Sequence, residues 1–377
     1  MRILVLTRTY PSADDLYQYP FVHRRVLAYS AAGHDVTVFR PTQSSEHFTH
    51  SYEGIHCDSG DERVLNCLVA DLRPDVVAAH GFTELMYPMF EAHLSKTPTC
   101  AWLHGSEIPA FFRQKALAVS DPEVRFRQLD AVRERSLFWH EFLSSRPDRF
   151  RLVFPSHSAV ELAKQDMRSL DQQICRVIPN PIDTDLFKYS PKTPGDRYKI
   201  LLIRPFDSWT YGNDLAVSAI LQMTNLSEFD KFDFTIVGDG PLFEETLAPL
   251  PALQNIRVER RFLTQPEIAD YHSRHGIFLV PSRLDTQGVS RDEAMSSGLV
   301  PVTNRIPAVM EFVDESCAGI CAPNSAAGLA EAIMKMAASE DLFLARSREA
   351  AARVRSQSGH ERVIPAELDL LAELARG

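Results

Sequence analysis

Asp285 and Glu293 stand eight positions apart in the stretch IFLVPSRLDTQGVSRDEAMSSG, residues 277–298. Ile277 to Val280 reads as a buried strand, and Asp285, Thr286, Gln287 and Gly288 as a polar loop. The residues from about Ser290 read as a helix that stops at Gly298, with LVPVTN as a further strand. A loop that leads from a strand end into a helix N-terminus presents unpaired backbone amides and the positive end of the helix dipole, which suits a phosphate group. Two carboxylates would flank that anion. A plainer reading competes: Ser290-Arg291-Asp292-Glu293 is also a capping box, in which hydroxyl and carboxylate satisfy orphan amides at the helix start.

The elements around this stretch repeat one order. MRILVLTR is a strand, Phe21 to Ala32 an amphipathic helix, and GHDVTVFRP a Gly stop and a second strand. ERVLNCLVADLRP and TELMYPMFEAHLSK read as helices, DVVAAHG as a strand, and TCAWLHGSE as a strand ending on His104. Such βαβ units build a parallel sheet, so the first half is a doubly wound α/β domain with ligands at the carboxyl ends of its strands. After RLVFPSHSAVELAKQ, the proline-rich RVIPNPIDTDLFKYSPKTPGDRYK marks a linker at about 180–198. The alternation then restarts with YKILLIRP, NDLAVSAILQM, DFTIVGDGP, NIRVERRF and QPEIADYHSRHG. The expected division is an N-terminal Rossmann-like domain over 1–185, a second over 198–355, and a C-terminal helix over 356–377 packing back on the first. A ligand site between two such domains is the default expectation.

The chain has 377 residues, 45% apolar and 24% charged, the balance of a soluble protein with two domains. No apolar run is long enough to span a bilayer, and the N-terminal strand is too short and too soon polar for a secretory signal, so a cytoplasmic location is expected. A net charge of −10 argues against nucleic acid as a partner. The six cysteines are scattered and read as reduced thiols without a zinc set. Asp183-Thr184-Asp185 resembles a carboxylate pair for a metal, but it lies behind Pro179 and Pro181, where Asp caps turns; no metal is expected. Residues 111–151 carry nine Lys or Arg against six acids. That segment is either a solvated helix face or a peripheral contact with anionic lipid.

Four motifs fall in fixed order: VIPNPIDTDLF at 177–187, IVGDGPL at 236–242, VPSRLDTQGVSRDEAMSSGLVPVTN at 280–304, and a Gly-Ile-x-x-Pro turn at Gly319 to Pro323. Together they resemble family 4 of the GT-B glycosyltransferases, retaining enzymes that use nucleotide sugars. The resemblance covers nearly the whole chain and is strongest over 177–335. It implies two Rossmann-like domains facing a cleft and transfer of a hexose-type sugar from a nucleotide-diphosphate sugar, with a UDP-sugar the expected donor. The acceptor would be a hydroxyl of a glycan, a lipid-linked molecule or a small molecule; no cofactor or metal is implied. By the same resemblance Glu293 holds the nucleotide ribose, Asp285 contacts the donor sugar, and the amides of Gly288, Val289 and Ser290 bind the diphosphate. Arg204 matches the phosphate-binding arginine and His104 the histidine that reaches the donor sugar. Gly238 lies in the Gly-rich turn, and Phe262 and Leu263 fall where the family lines its base pocket.

Three departures stand out. The family has Glu where this chain has Asp285, and a lysine shortly after the arginine where this chain has FDSWTYGND, residues 206–214, without one. Tyr17-Gln18-Tyr19-Pro20 stands in place of a Gly-Gly loop. They motivate an alternative, a homologue with impaired turnover that serves as a binding or regulatory partner of an active transferase. An epimerase on the same fold would need a facing carboxylate pair in the first half, and none is evident.

Overall fold

The computed structural model describes residues Met1–Gly377 apart from Asp14 and Tyr17. Tyr17, in the segment that replaces the Gly-Gly loop, therefore lies outside the described residues. The chain forms two compact units. The first comprises Met1–Leu117, Asp121–Pro181 and Val363–Gly377, and the second Ala118–Ser120 and Ile182–Arg362.

The first unit begins with β1 (Arg2–Thr7), α1 (Pro20–Ala31), β2 (Asp35–Pro41), β3 (Phe48–Tyr52), β4 (Ile55–Gly60), α2 (Glu62–Leu72) and β5 (Val76–His80). It continues with α3 (Tyr87–Leu94), β6 (Thr99–Trp102), α4 (Pro109–Leu117), α5 (Pro122–Ser144), β7 (Phe150–Phe154), α6 (His157–Asp166) and β8 (Cys175–Val177). Its eight strands are ordered β3-β4-β2-β1-β5-β6-β7-β8 and are parallel except for β3. The antiparallel edge strand turns at Glu53 and Gly54, both at positive φ, the geometry of a tight hairpin. Alternation along β1 explains the central position of that strand: Ile3 and Val5 enter one apolar cluster while Leu4 and Leu6 enter another on the opposite face.

The second unit contains β9 (Lys199–Ile203), α7 (Asn213–Met223), β10 (Asp233–Gly238), α8 (Phe243–Leu247), β11 (Ile256–Arg260), α9 (Gln265–Arg274) and β12 (Ile277–Val280). Then come α10 (Val289–Ser296), β13 (Val300–Asn304), α11 (Pro307–Met310), β14 (Gly319–Cys321), α12 (Ala326–Ala338) and α13 (Glu340–Gln357). The sheet order is β11-β10-β9-β12-β13-β14, all parallel. Here too the central strands are buried on both faces, with Ile277 and Leu279 in one cluster and Phe278 and Val280 in the other.

The last helix, α14 (His360–Arg376), belongs mainly to the first unit, where Ile364, Leu370, Leu371 and Leu374 join the cluster of Ile3 and Val5. Its Glu367 is fully buried and accepts from Arg25 Nε at 2.9 Å and from the Tyr29 hydroxyl at 2.5 Å. The helical pattern of the C-terminal stretch is broken at Ser358-Gly359, where Gly359 bridges to Ile182.

Candidate active site

In a doubly wound sheet the ligand crevice lies at the strand ends where the order reverses. In the second unit that point falls between β9 and β12. Arg204 directly follows β9, and the loop after β12 runs through Ser282 and Asp285 into α10.

Arg204 is only 6% exposed, and its partners are hydroxyls rather than carboxylates. Nη1 donates to Ser290 Oγ at 2.5 Å and Nη2 to Ser282 Oγ, while Nε is buried without a partner among the described residues. The guanidinium lies over the Tyr211 ring, 4.7 Å from its centroid. Burial and the neighbouring Asp207 push the Tyr211 hydroxyl up to about 12, with Arg204 opposing and Asp285 adding to the rise. An arginine held in place with its positive charge uncompensated is suited to a bidentate oxyanion.

The capping box is not formed. Gly288, at φ 103°, is the N-cap of α10 and gives no side-chain cap; Ser290 lies inside the first turn with its hydroxyl turned to Arg204. Among the described residues the first amides of α10 therefore meet no side-chain cap at the helix end, and the dipole is left open there. Gln265 Nε2, from α9, donates to Glu293 Oε1 at 3.3 Å.

Asp285 shapes the loop from inside. Its Oδ1 accepts from the amides of Thr286 at 2.9 Å and Gln287 at 3.2 Å. Below the loop, Arg291 and Asp292 form a buried pair at 2.6 Å, and Gln287 donates to Asp292 at 3.0 Å. Asn304 Nδ2, at the end of β13, donates to the Pro281 carbonyl at 2.9 Å and fixes where the loop leaves β12.

Gly238, at the end of β10, has a spacing role: a Cβ there would meet the Arg204 carbonyl oxygen at 2.0 Å. Leu263 is buried beside Ile203 and Ala294, whereas Phe262 is 41% exposed. The structure thus gathers Arg204, Gly238, Asp285, Gly288, Val289, Ser290 and Glu293 around one sheet end, with Leu263 in the core beneath. Ser282 and Tyr211 complete the setting of Arg204. Sequence reading passed over Ser282, and it took Tyr211 only as part of a segment lacking a lysine.

His104 belongs to the first unit, two residues past β6. Its Nε2 is 3.0 Å from Nδ1 of His80, and the two rings stack with centroids 5.2 Å apart. The backbone amides of His104 and Gly105 both donate to Glu107 Oε2 at 2.9 Å, so the loop is wrapped around a buried carboxylate. Burial, reinforced by Arg25 and opposed by a hydrogen bond with Asn180, holds His104 well below the usual histidine range. Arg25 in turn donates to Asn180 Oδ1 at 2.9 Å and to Glu367. Burial, then His104 and Arg25, hold His80 down as well. His80 ends β5 at the reversal point between β1 and β5 and was missed in the sequence. The signal was there: β5 runs into His80-Gly81 as the β6 segment runs into His104-Gly105. Tyr19, in the segment that replaces the Gly-Gly loop, takes the left-handed φ of 55° that glycine adopts freely, and its hydroxyl is 3.4 Å from Glu107.

Among the described residues one group has metal-ligand geometry: Asp183, Asp185 and His360, with ligand atoms within 4.8 Å of one another. Asp183 Oδ1 caps the turn by accepting from Asp185 N and Leu186 N, and His360 Nδ1 accepts from Thr184 N at 3.1 Å.

No curated protein sequence matches the chain. Among solved structures it is similar to sucrose-phosphate synthase from Thermosynechococcus elongatus, with 15% identity, TM-score 0.74 and 99% of each chain covered. It is similar to a glycosyltransferase from Rickettsia africae, with 14% identity, TM-score 0.74, and 100% of this chain and 99% of that chain covered. A third is Anabaena HepE in complex with UDP-glucose, with 14% identity, TM-score 0.72, and 99% of this chain and 100% of that one covered. These likenesses show the GT-B fold. Residues 21–186 match the family described as Glycosyltransferase Family 4, and residues 197–339 match Glycosyl transferases group 1. Two α/β units, each carrying the expected half of this pattern, place the chain in the group 1, family 4 glycosyltransferases.

Proposed function

We propose that the protein is a retaining transferase that moves a hexose-type sugar from a UDP-sugar to an acceptor hydroxyl. The observation that carries this reading is the uncapped N-terminus of α10 beside the uncompensated guanidinium of Arg204. The second unit binds the donor: Arg204 and the first amides of α10 take the diphosphate, Glu293 the ribose hydroxyls, and Phe262 the base edge. As the sugar–phosphate bond breaks, negative charge grows on the diphosphate, and groups already held in place stabilise it without reorganising. Asp285, which fixes the loop, contacts the sugar; His104, held neutral by burial, serves as a hydrogen-bonding group to a substrate hydroxyl. The acceptor attacks on the face that the phosphate leaves, with a donor phosphate oxygen taking its proton. The complex of Anabaena HepE with UDP-glucose supports the choice of donor.

A panel of UDP-, GDP- and ADP-sugars, read by mass spectrometry for slow hydrolysis and by thermal shift for binding, tests this reading. UDP-sugar hydrolysis with a shift is expected. A shift without hydrolysis or transfer would instead favour the impaired homologue, which the lack of a lysine in 206–214 supports.

A lipid-linked acceptor at a cytoplasmic membrane face fits helix α5. Much of the basic charge of 111–151 is committed: Arg113 to Asp166, Arg135 to Glu84, Arg146 to Asp171, and Arg149 to the carbonyls of Leu374 and Ala375. Phe126 and Leu137, however, are 73% and 51% exposed, and with Arg133 they share one helix face at spacings of seven and four. Cosedimentation with anionic vesicles, lost in Phe126→Ser/Leu137→Ser, is the expected result; no cosedimentation of the unaltered protein would remove the membrane from this account.

A further inference from the structure

The second unit carries a cavity of about 370 Å³ between the edge strand β14, α12 and α13, lined among others by Glu315, Ile320, Glu331, Lys335, Met336 and Arg346. Arg346 is 6% exposed. Its one hydrogen bond among the described residues runs from Nη1 to the Met336 sulfur at 3.4 Å, and its Nε is buried without a partner.

Other buried arginines of the chain do not look like this. Arg25 has Glu367, Arg135 has Glu84 and Arg291 has Asp292. Among the described residues Arg346 instead shares the condition of Arg204: buried, without a carboxylate partner and with Nε unsatisfied. A buried charge is ordinarily paired, because desolvation without a counter-ion is costly. Burial lowers the affinity of Arg346 for its proton, outweighing the opposing Cys317 and Glu315, and Glu315 is itself bound to Arg305 at 2.6 Å. The cavity also has the size of a small-ligand site and a partly apolar wall. Lys335 adds a second cation, while Glu315 and Glu331 disfavour a multiply charged anion and offer acceptors to a donor group.

We propose that this cavity is a second ligand site, for a small organic monoanion. Its carboxylate oxygens meet Arg346 and Lys335, and its carbon skeleton lies against Ile320, Ala332 and Met336. The site does not depend on the glycosyltransferase reading. Its occupancy would be felt at α10, because Ser347, next to Arg346, donates to the Gly298 carbonyl at 2.5 Å, just past the end of that helix.

The test uses full-length protein with ¹³C-methyl methionine, in which Met336→Leu assigns one of nine methionine signals. Lactate, glycerol 3-phosphate and inorganic phosphate are titrated at matched ionic strength against chloride. A saturable shift of the Met336 methyl with lactate is expected, and none with glycerol 3-phosphate or inorganic phosphate, which are largely dianionic near neutral pH. Arg346→Met should abolish the shift without lowering the melting temperature, since it removes an uncompensated charge. Lys335→Ala, at an exposed position, should weaken binding several-fold and serves if the Arg346 variant does not fold. No saturable shift with lactate, or a shift unchanged in Arg346→Met or in Lys335→Ala, would overturn the proposal.

Discussion

Arg204 Nη1 donates to Ser290 Oγ across 2.5 Å, and this bond ties the end of β9 to the first turn of α10. Ser290 lies inside the first turn with its hydroxyl turned to Arg204, and among the described residues the helix end has no side-chain cap. One contact therefore aims a guanidinium beside that open end.

Arg204→Ala should lower kcat by about 10²–10³, the usual loss for one preorganised donor to a developing anion. Arg204→Lys should recover only part of it, since an ammonium cannot reach Ser282 and Ser290 together as a fork does. Steady-state rates with the active donor measure both. Equal rates for all three proteins would remove Arg204 from the chemistry.

Gly288 sits at φ 103°, and a Cβ there would lie 2.9 Å from Nη1 of the buried Arg291. Gly288→Ala should cost about 1–2 kcal/mol from the left-handed backbone alone and should weaken nucleotide affinity as the loop shifts. Denaturant melts and a nucleotide titration of the same variant report the two effects separately.

Glu367 and Arg25 form an ion pair that is 0% and 1% exposed. Removing one partner, as in Glu367→Ala, should cost about 3–5 kcal/mol, whereas Arg25→Met/Glu367→Leu should recover much of that loss. Urea unfolding followed by the tryptophans of the first unit, Trp102 and Trp139, measures it. A loss below about 1 kcal/mol in Glu367→Ala would show that α14 is not held by this pair.

Burial, then Lys192 and His275, push His272 down from 6.5 to about 3. His80 is lowered by burial, His104 and Arg25. Both are neutral in the folded protein at pH values where the unfolded chain binds protons. Their contribution is thus intact above pH 6.5 and is lost as pH falls below it, by up to about 1.4 kcal/mol per pH unit for each group. Melts at stepwise lower pH should show this slope, and His272→Gln should flatten it.

The fold was legible because its signals are local and repeated. Strands such as Leu201 to Ile203 and Ile277 to Val280 are apolar on both faces, and each is followed by a loop and a helical pattern. The hairpin of β3 and β4 was not anticipated, since its exposed edge residues, Thr49 to Ser51, carry no apolar alternation, and only Glu53-Gly54 marked the turn. The stretch 277–298 announced a helix N-terminus, but spacing alone cannot tell whether Ser290 serves an amide of its own helix or an arginine 86 positions away. The same limit hid His80 and Arg346. Their meaning lies in what surrounds them across the sheet, and each looks ordinary in its own segment.

The central claim is that the N-terminal turn of α10 holds a nucleotide diphosphate, with Glu293 on the ribose. Calorimetric titration of UDP into the unaltered protein and into Glu293→Ala tests it most directly. Saturable binding that Glu293→Ala abolishes, under conditions where a melt shows the variant still folded, is the predicted result. Failure of UDP, GDP and ADP alike to bind, or UDP binding unchanged in Glu293→Ala, would contradict it.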